Sequence, residues 1–127
     1  MFEDLAGPIE RYEWGRFQIN GKVHSEDGEG VGKDIFMVEN VVSAWEERKG
    51  HRVKRSMVRR ALNAEVQILV IGNGANGALK VPKKTRQAIA DAGIERLIIK
   101  KTPEACAEYN QLVREGKRVA LLAHGTC

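Results

Sequence analysis

No stretch of this sequence approaches the roughly 18 consecutive apolar residues a membrane-spanning helix requires, so no bilayer span is expected. Cysteine is scarce, with Cys106 and Cys127 the only two, and neither belongs to a CxxC or a paired Cys/His spacing. They make no convincing zinc site, a structural disulfide between them has no support in the sequence, and two cysteines fit a reduced compartment. Aromatic residues make up 6% of the chain, and none interrupts the basic segment described below, so the stacking platforms that bind single-stranded nucleic acid are missing. The opening MFEDLAGPIERYEWG lacks the basic-then-apolar order of a secretory signal, and Glu3, Asp4 and Glu10 argue against an Arg-rich transit peptide. A cytoplasmic protein without a metal is the expectation.

What is present suits one domain. The 127 residues, 43% of them hydrophobic, are enough for a single core and too few for two, so residues 1–127 are expected to form a single compact α/β domain. The net charge of +4 is mild, but it is unevenly placed. Arg48, Lys49, Arg52, Lys54, Arg55, Arg59 and Arg60 fall in thirteen residues with no acid, so the rest of the chain is net acidic.

The organising stretch is Glu65 to Pro82. Its strand-like run Val66 to Ile71 is continuous and rich in β-branched residues, as expected of a strand buried on both faces. Before it, Asn20-Gly21 between Arg16–Ile19 and Lys22–His24 marks a hairpin with a two-residue turn. Glu26 to Lys33 reads as a solvated turn rather than a calcium loop, because the alternate ligand positions are not filled. Ile35–Val38 and Val41–Trp45 flank a further turn at Glu39-Asn40, and the residues ahead of Arg16 are expected to be loose. A short amphipathic helix is predicted from about Val53 to Asn63, with Lys54, Arg55, Arg59 and Arg60 on its exposed face.

After the strand come a helix from about Lys83 to Ala92, a strand Leu97–Lys100, a helix from Thr102 to about Glu115 and a strand Val119–Ala123. In the second helix Thr102 is expected to cap, with Pro103 at the first position. Right-handed crossovers would make these three strands parallel. Their carboxyl ends would then bring together the loop Gly72–Gly77, the pair Lys100-Lys101 and the tail His124–Cys127. The overall expectation is an α/β fold with a mixed sheet, an N-terminal β-hairpin and a C-terminal β-α-β-α-β half.

Several chemistries can be weighed at these residues. Gly72, Gly74 and Gly77 match GxGxxG, but a dinucleotide site needs the helix to start at that loop. Here Ala78 to Val81 intervene before Pro82, and Lys100-Lys101 stand where an acid would hold the ribose, so no cofactor is expected. A simpler anion site would use the backbone N–H groups of Gly72, Asn73 and Gly74, with Lys80, Lys83, Lys84 and Arg86 nearby. His124 beside Cys127 could stabilise a thiolate, although a terminal carboxylate would oppose it. Trp14, Trp45 and Tyr109 are expected to anchor the core, an exposed Trp marking a protein-binding patch instead. Cys106 reads as a small buried residue, and His24 and His51 have no evident partner.

Nearly the whole chain resembles a small family of unknown function, the Mth nine-three-eight-like domains. The resemblance lies in Phe17, Ile19 and Gly21-Lys22, in Trp45 and Gly50-His51, and in Leu69-Val70-Ile71-Gly72-Asn73-Gly74 with Leu79 to Pro82. It continues through Gly93-Ile94, Thr102-Pro103-Glu104-Ala105, Tyr109-Asn110 and the closing His124-Gly125-Thr126-Cys127. Eukaryotic members include an adipogenesis-associated domain-containing protein and assembly factor three of mitochondrial respiratory complex I. The resemblance implies a compact α/β fold and supplies no catalytic residues.

Two functional classes remain. The leading one is a non-enzymatic binding or assembly-type module that meets a protein partner through Lys54, Arg55, Arg59 and Arg60, nucleic acid being the disfavoured partner. The alternative is a small enzyme or binder of a small anionic ligand, using Gly72, Asn73, Gly74, Lys100, Lys101, His124 and Cys127.

Overall fold

The computed structural model describes residues 1–127. Short strands with tight turns dominate the first third. β1 (Phe2–Glu3), β2 (Ile9–Glu13), β3 (Arg16–Ile19) and β4 (Lys22–Ser25) form a four-stranded antiparallel sheet in chain order. Residues ahead of Arg16, expected to be loose, are therefore ordered: Ile9 and Tyr12 are buried and fix β2 against β3. Asn20 (φ 50°) and Gly21 (φ 81°) take the left-handed turn the hairpin needs.

The second sheet has the order β6-β5-β9-β7-β8. β5 (Asp34–Val38) and β6 (Val41–Ala44) make a hairpin, and β5 runs antiparallel to β9 (Val119–His124). β7 (Ile68–Gly72) lies parallel to both β8 (Arg96–Lys100) and β9. β7 and β9 are buried along their full length, which is why their sequences are continuous apolar runs.

The predicted helix over 53–63 is shorter and mixed in kind. A 3₁₀ turn, Arg55–Val58, leads into one α-helical turn, α1 (Arg59–Leu62). α2 (Lys83–Asp91) and α3 (Thr102–Arg114) are the longer helices.

Two apolar layers sandwich the five-stranded sheet. On one face α3, through Ala105, Cys106, Tyr109 and Leu112, packs with Ile9, Tyr12, Phe17 and Ile19 of the first sheet. On the other, Trp45, Val53, Met57, Val58 and Ile89 of α2 cover Leu69, Ile71 and Leu122. Trp45 is anchored by its indole N–H donating to Met57 O at 2.8 Å. Trp14 is not part of either layer. It stands 52% exposed at the β2–β3 turn, against the core role expected for it.

Candidate functional site

The three parallel strands do deliver their carboxyl ends to one edge. Gly72 pairs in register with Lys100 on one side and Ala123 on the other, so the glycine loop, Lys100-Lys101 and the tail converge. Close packing explains the glycines: a Cβ on Gly72 would lie 3.2 Å from Ala105 Cβ and 3.3 Å from Ala123 Cβ. Gly74 has φ +110°, and a Cβ there would meet the Cys127 backbone at 2.7 Å.

That convergence does not leave an open anion cradle. The Asn73 N–H donates to Lys100 O (2.9 Å), Gly74 N–H to Thr102 Oγ1 (3.0 Å) and Ala75 N–H to Thr126 O (3.0 Å). Ala78 N–H donates to Cys127 O at 3.2 Å. The amides of Asn73 and Gly74 in the expected site are thus satisfied by Lys100 and Thr102, and those of Ala75 and Ala78 beyond it by the tail. Lys100 pairs with Glu108 at 2.8 Å, while Lys101 is exposed. Thr102 does not cap its own helix. Its hydroxyl, fully buried, donates to His124 O at 2.7 Å and accepts from Gly74, tying the glycine loop to the tail.

His124 has a partner that sequence reading missed. Its Nδ1 is 2.6 Å from Asp34 Oδ1, and Nε2 is 3.3 Å from Thr126 Oγ1. Arg48 Nε donates to Asp34 Oδ2 at 2.9 Å and Lys33 Nζ reaches it at 3.1 Å. Burial raises the Asp34 pKa, but the hydrogen bonds from His124 and Arg48 outweigh it and hold the carboxyl well below the usual range. Toward an ionised Asp34 the His124 Nδ1 is the donor, and in the neutral imidazole Nε2 is then the nitrogen that accepts from the Thr126 hydroxyl. The arrangement carboxylate, imidazole, hydroxyl is that of a polarised nucleophile. It is also a way to hold a tail in place, and His124 and Thr126 are both buried. Tyr12 Oη and Gly15 N–H both donate to Gly125 O, adding the first sheet to the lock. Only the antiparallel pairing of β5 with β9 brings Asp34 opposite His124, across 90 residues of chain. Cys127 is a free thiol, as is Cys106, whose burial pushes its pKa up.

The other expected surface is rearranged as well. Arg60 is not available to a partner: its guanidinium is paired with both oxygens of Glu47, bonds Ser43 Oγ and Ala44 O, and lies 5.0 Å from the Phe36 ring centroid. Arg59 is exposed and makes no ion pair. Lys54 and Arg55 line a groove of about 1170 Å³ together with Arg52, Lys83 and Lys84. Sequence placed those lysines beside the glycine loop. Instead Val53 N–H donates to Lys80 O (2.8 Å) and Thr85 Oγ1 donates to Val53 O (2.7 Å), which staples the start of α2 onto the basic segment. None of the five bases makes an ion pair, and Asp91 is the one acid in the lining. α2 has no side-chain cap and no acid in its first turn, so its positive end adds to the same field. No three His, Cys, Asp or Glu side chains cluster closely enough to hold a metal ion. No helix is long and apolar enough to cross a membrane.

A family model described as a protein of unknown function (DUF498/DUF598) matches residues 9–124. The chain belongs to that family. Solved structures share the DUF498/DUF598 fold. A conserved hypothetical protein from Pyrococcus horikoshii is 22% identical with a TM-score of 0.75, over 94% of this chain and 98% of its own. A protein from Bartonella henselae described as an outer membrane protein is 21% identical with a TM-score of 0.77, over 95% of this chain and 96% of its own. A Bordetella pertussis protein described as a Mth938-like domain is 20% identical with a TM-score of 0.64, covering 94% and 85%. The Mth938-like resemblance read from the sequence is thus borne out, and with it the α/β fold.

Proposed function

We propose that this DUF498/DUF598 member is a non-enzymatic binding module of the cytoplasm that docks an acidic protein segment in the groove between the basic segment and α2. The observation carrying this reading is the gathering of Arg52, Lys54, Arg55, Lys83 and Lys84, from two separate stretches, around one cavity with no internal counter-charge beyond Asp91. Cations at the start of a helix oppose its dipole, a local cost of about 0.3–1 kcal/mol each. Nothing inside the chain offsets that cost, whereas an acidic ligand would. The groove lining holds no aromatic side chain, which disfavours nucleic acid. An assembly-factor role, as in the mitochondrial relatives, is one form such docking takes. Two unpaired cysteines suit a reducing compartment.

The test is anisotropy titration with a fluorescent octaglutamate peptide and with an eight-nucleotide single-stranded DNA. Peptide binding that weakens with salt, and weakens about tenfold further in the Arg55→Glu, Lys83→Glu, Lys84→Glu triple variant, is expected from about three charge contacts. Lys117→Glu serves as the control reversal. Equal binding by the triple variant and the control sinks the reading, and tighter binding of the DNA replaces it with a nucleic-acid function.

The alternative, catalysis or anion capture at Gly72, Asn73, Gly74, Lys100, Lys101, His124 and Cys127, has one supporting observation. His124 is oriented by Asp34 toward the Thr126 hydroxyl. Against it, the loop amides are occupied, and none of these seven residues lines any of the three principal cavities.

A further inference from the structure

Residues 26–33, which join β4 to β5, fold back over β4 as a strap with few fastenings. Ser25 N–H donates to Glu29 O (3.0 Å), Glu26 N–H to Gly15 O (2.8 Å) and Val31 N–H to His24 Nδ1 (2.9 Å). Gly30, at φ +56°, passes so close that a Cβ there would run into His24 Nδ1 and lie 2.6 Å from Val23 O. Val31 packs partly buried against the core, whereas Glu26 to Gly30 are exposed. The histidine is therefore the one side chain of β4 whose ring nitrogen holds the far half of the strap.

Two observations make that bond sensitive to a proton. His24 stands opposite Phe17 in the β3–β4 register and is only 3% exposed, so its ring lies on the core face beneath the strap. Because Nδ1 accepts from Val31, the neutral ring carries its proton on Nε2, and Nε2 is buried without a partner. A second proton has only Nδ1 to go to. There it would face the Val31 N–H, donor against donor, and place a charge where no carboxylate meets the ring. The charged residues on the elements around it are Lys22 of its own strand, Arg16 of β3 and Glu26, Asp27, Glu29 and Lys33 of the strap, and none bonds the imidazole. His124 and Asp34, at the tail and the end of the strap, are bonded to each other. Burial, with Lys22 adding to it, holds the His24 pKa below the ordinary value of 6.5.

We propose that the strap 26–33 is a pH-sensitive closure, held shut by neutral His24 accepting from Val31 and released when His24 takes up a proton. Lifting the strap brings the imidazolium to water and uncovers Val31, while Asp34 to Val38 stay paired with β9. The closure shares no residue with the basic groove and is independent of the docking proposed there. Its sign follows from the lowered folded pKa: closure is complete above 6.5 and weakens as pH falls below that value. Amide hydrogen exchange of the full chain, followed by NMR from about pH 7.5 to about pH 5 and corrected for the intrinsic exchange rate, tests it. The protection of the Val31 amide should fall on acidification, by at most about tenfold per pH unit as one proton requires, while that of Val70 in β7 holds. His24→Asn, which offers an oxygen near the place of Nδ1 but does not titrate, should keep Val31 protected across the series. Protection of Val31 that is independent of pH in the wild type, or that falls equally in His24→Asn, overturns the proposal. Should His24→Asn fail to give a folded spectrum, the ring of His24 in the wild type decides. A ring titration that coincides with the loss of Val31 protection supports the closure, and one at a separate pH overturns it.

Discussion

Thr102 and Tyr109 lie two turns apart on α3, both without exposure, and each presents a hydroxyl to one end of the same parallel strands. At the carboxyl edge the Thr102 hydroxyl gives one hydrogen bond and receives another. At the amino edge the Tyr109 hydroxyl has none. The usual ligand position in an open α/β sheet is the carboxyl edge, yet here the chain's own residues 124–127 occupy it. A topology therefore marks where a ligand can go, and only the inventory of donors and acceptors tells whether the place is taken.

The contrast predicts unequal responses. Gly125→Ala should have the largest effect, since a Cβ there would fall 2.3 Å from Lys33 O and the backbone on both sides is held. A loss of about 4 kcal/mol, read by urea denaturation, is expected from such overpacking against main chain. Thr102→Val keeps the shape but orphans Gly74 N–H and His124 O, for about 3 kcal/mol in the same assay.

Asp34→Asn comes next, at about 2 kcal/mol near neutral pH, because it removes the charge from the bonds to His124 and Arg48. The sign with pH follows from its depressed folded pKa. Its contribution is complete above the ordinary carboxylate value of 3.8 and declines as pH falls below that value toward the folded one. The gap between wild type and Asp34→Asn should therefore close on acidification below about pH 4, a trend that parallel denaturation series would check. A gap that persists unchanged would mean that Asp34 acts through shape rather than charge. At the opposite edge, Tyr109→Phe should have the smallest effect and the opposite sign, a gain of up to about 1 kcal/mol, because it removes a buried hydroxyl left without a hydrogen-bond partner. Burial pushes that phenol up to about 12, so it stays neutral across the same series. A large loss in this variant would erase the distinction between the edges.

The elements that periodicity and turn chemistry govern were legible. Asn20-Gly21, the buried run of β7 and the two longer helices stand within a residue or two of their expected places, and the parallel arrangement followed from crossover handedness. β1 and β2 were missed because Pro8 and Gly7 resemble a loose start, and only their pairing with β3 makes them strands. The convergence of loop and tail was legible for the same topological reason. Asp34 was not, because nothing local ties it to His124, and the register of two antiparallel strands alone brings them together. Arg60 misled because a basic run looks uniformly solvated until Glu47, Ser43 and Phe36 are placed around it. Lys83 and Lys84 were assigned to the wrong neighbour, since adjacency in sequence to Gly77 said nothing of Thr85 fastening to Val53.

The position of β9 between β5 and β7 also governs how the molecule is made. Until residues 119–124 have been synthesised, the β5–β6 hairpin and the β7–β8 pair are separate ribbons, each with one unpaired apolar edge. Closing the sheet then joins segments far apart in the chain, which is slow, and those edges are open to other chains in the meantime. The strand that completes the sheet is thus the one that ends its exposure to aggregation, and a nascent chain stalled before Val119 would be the form that a chaperone meets.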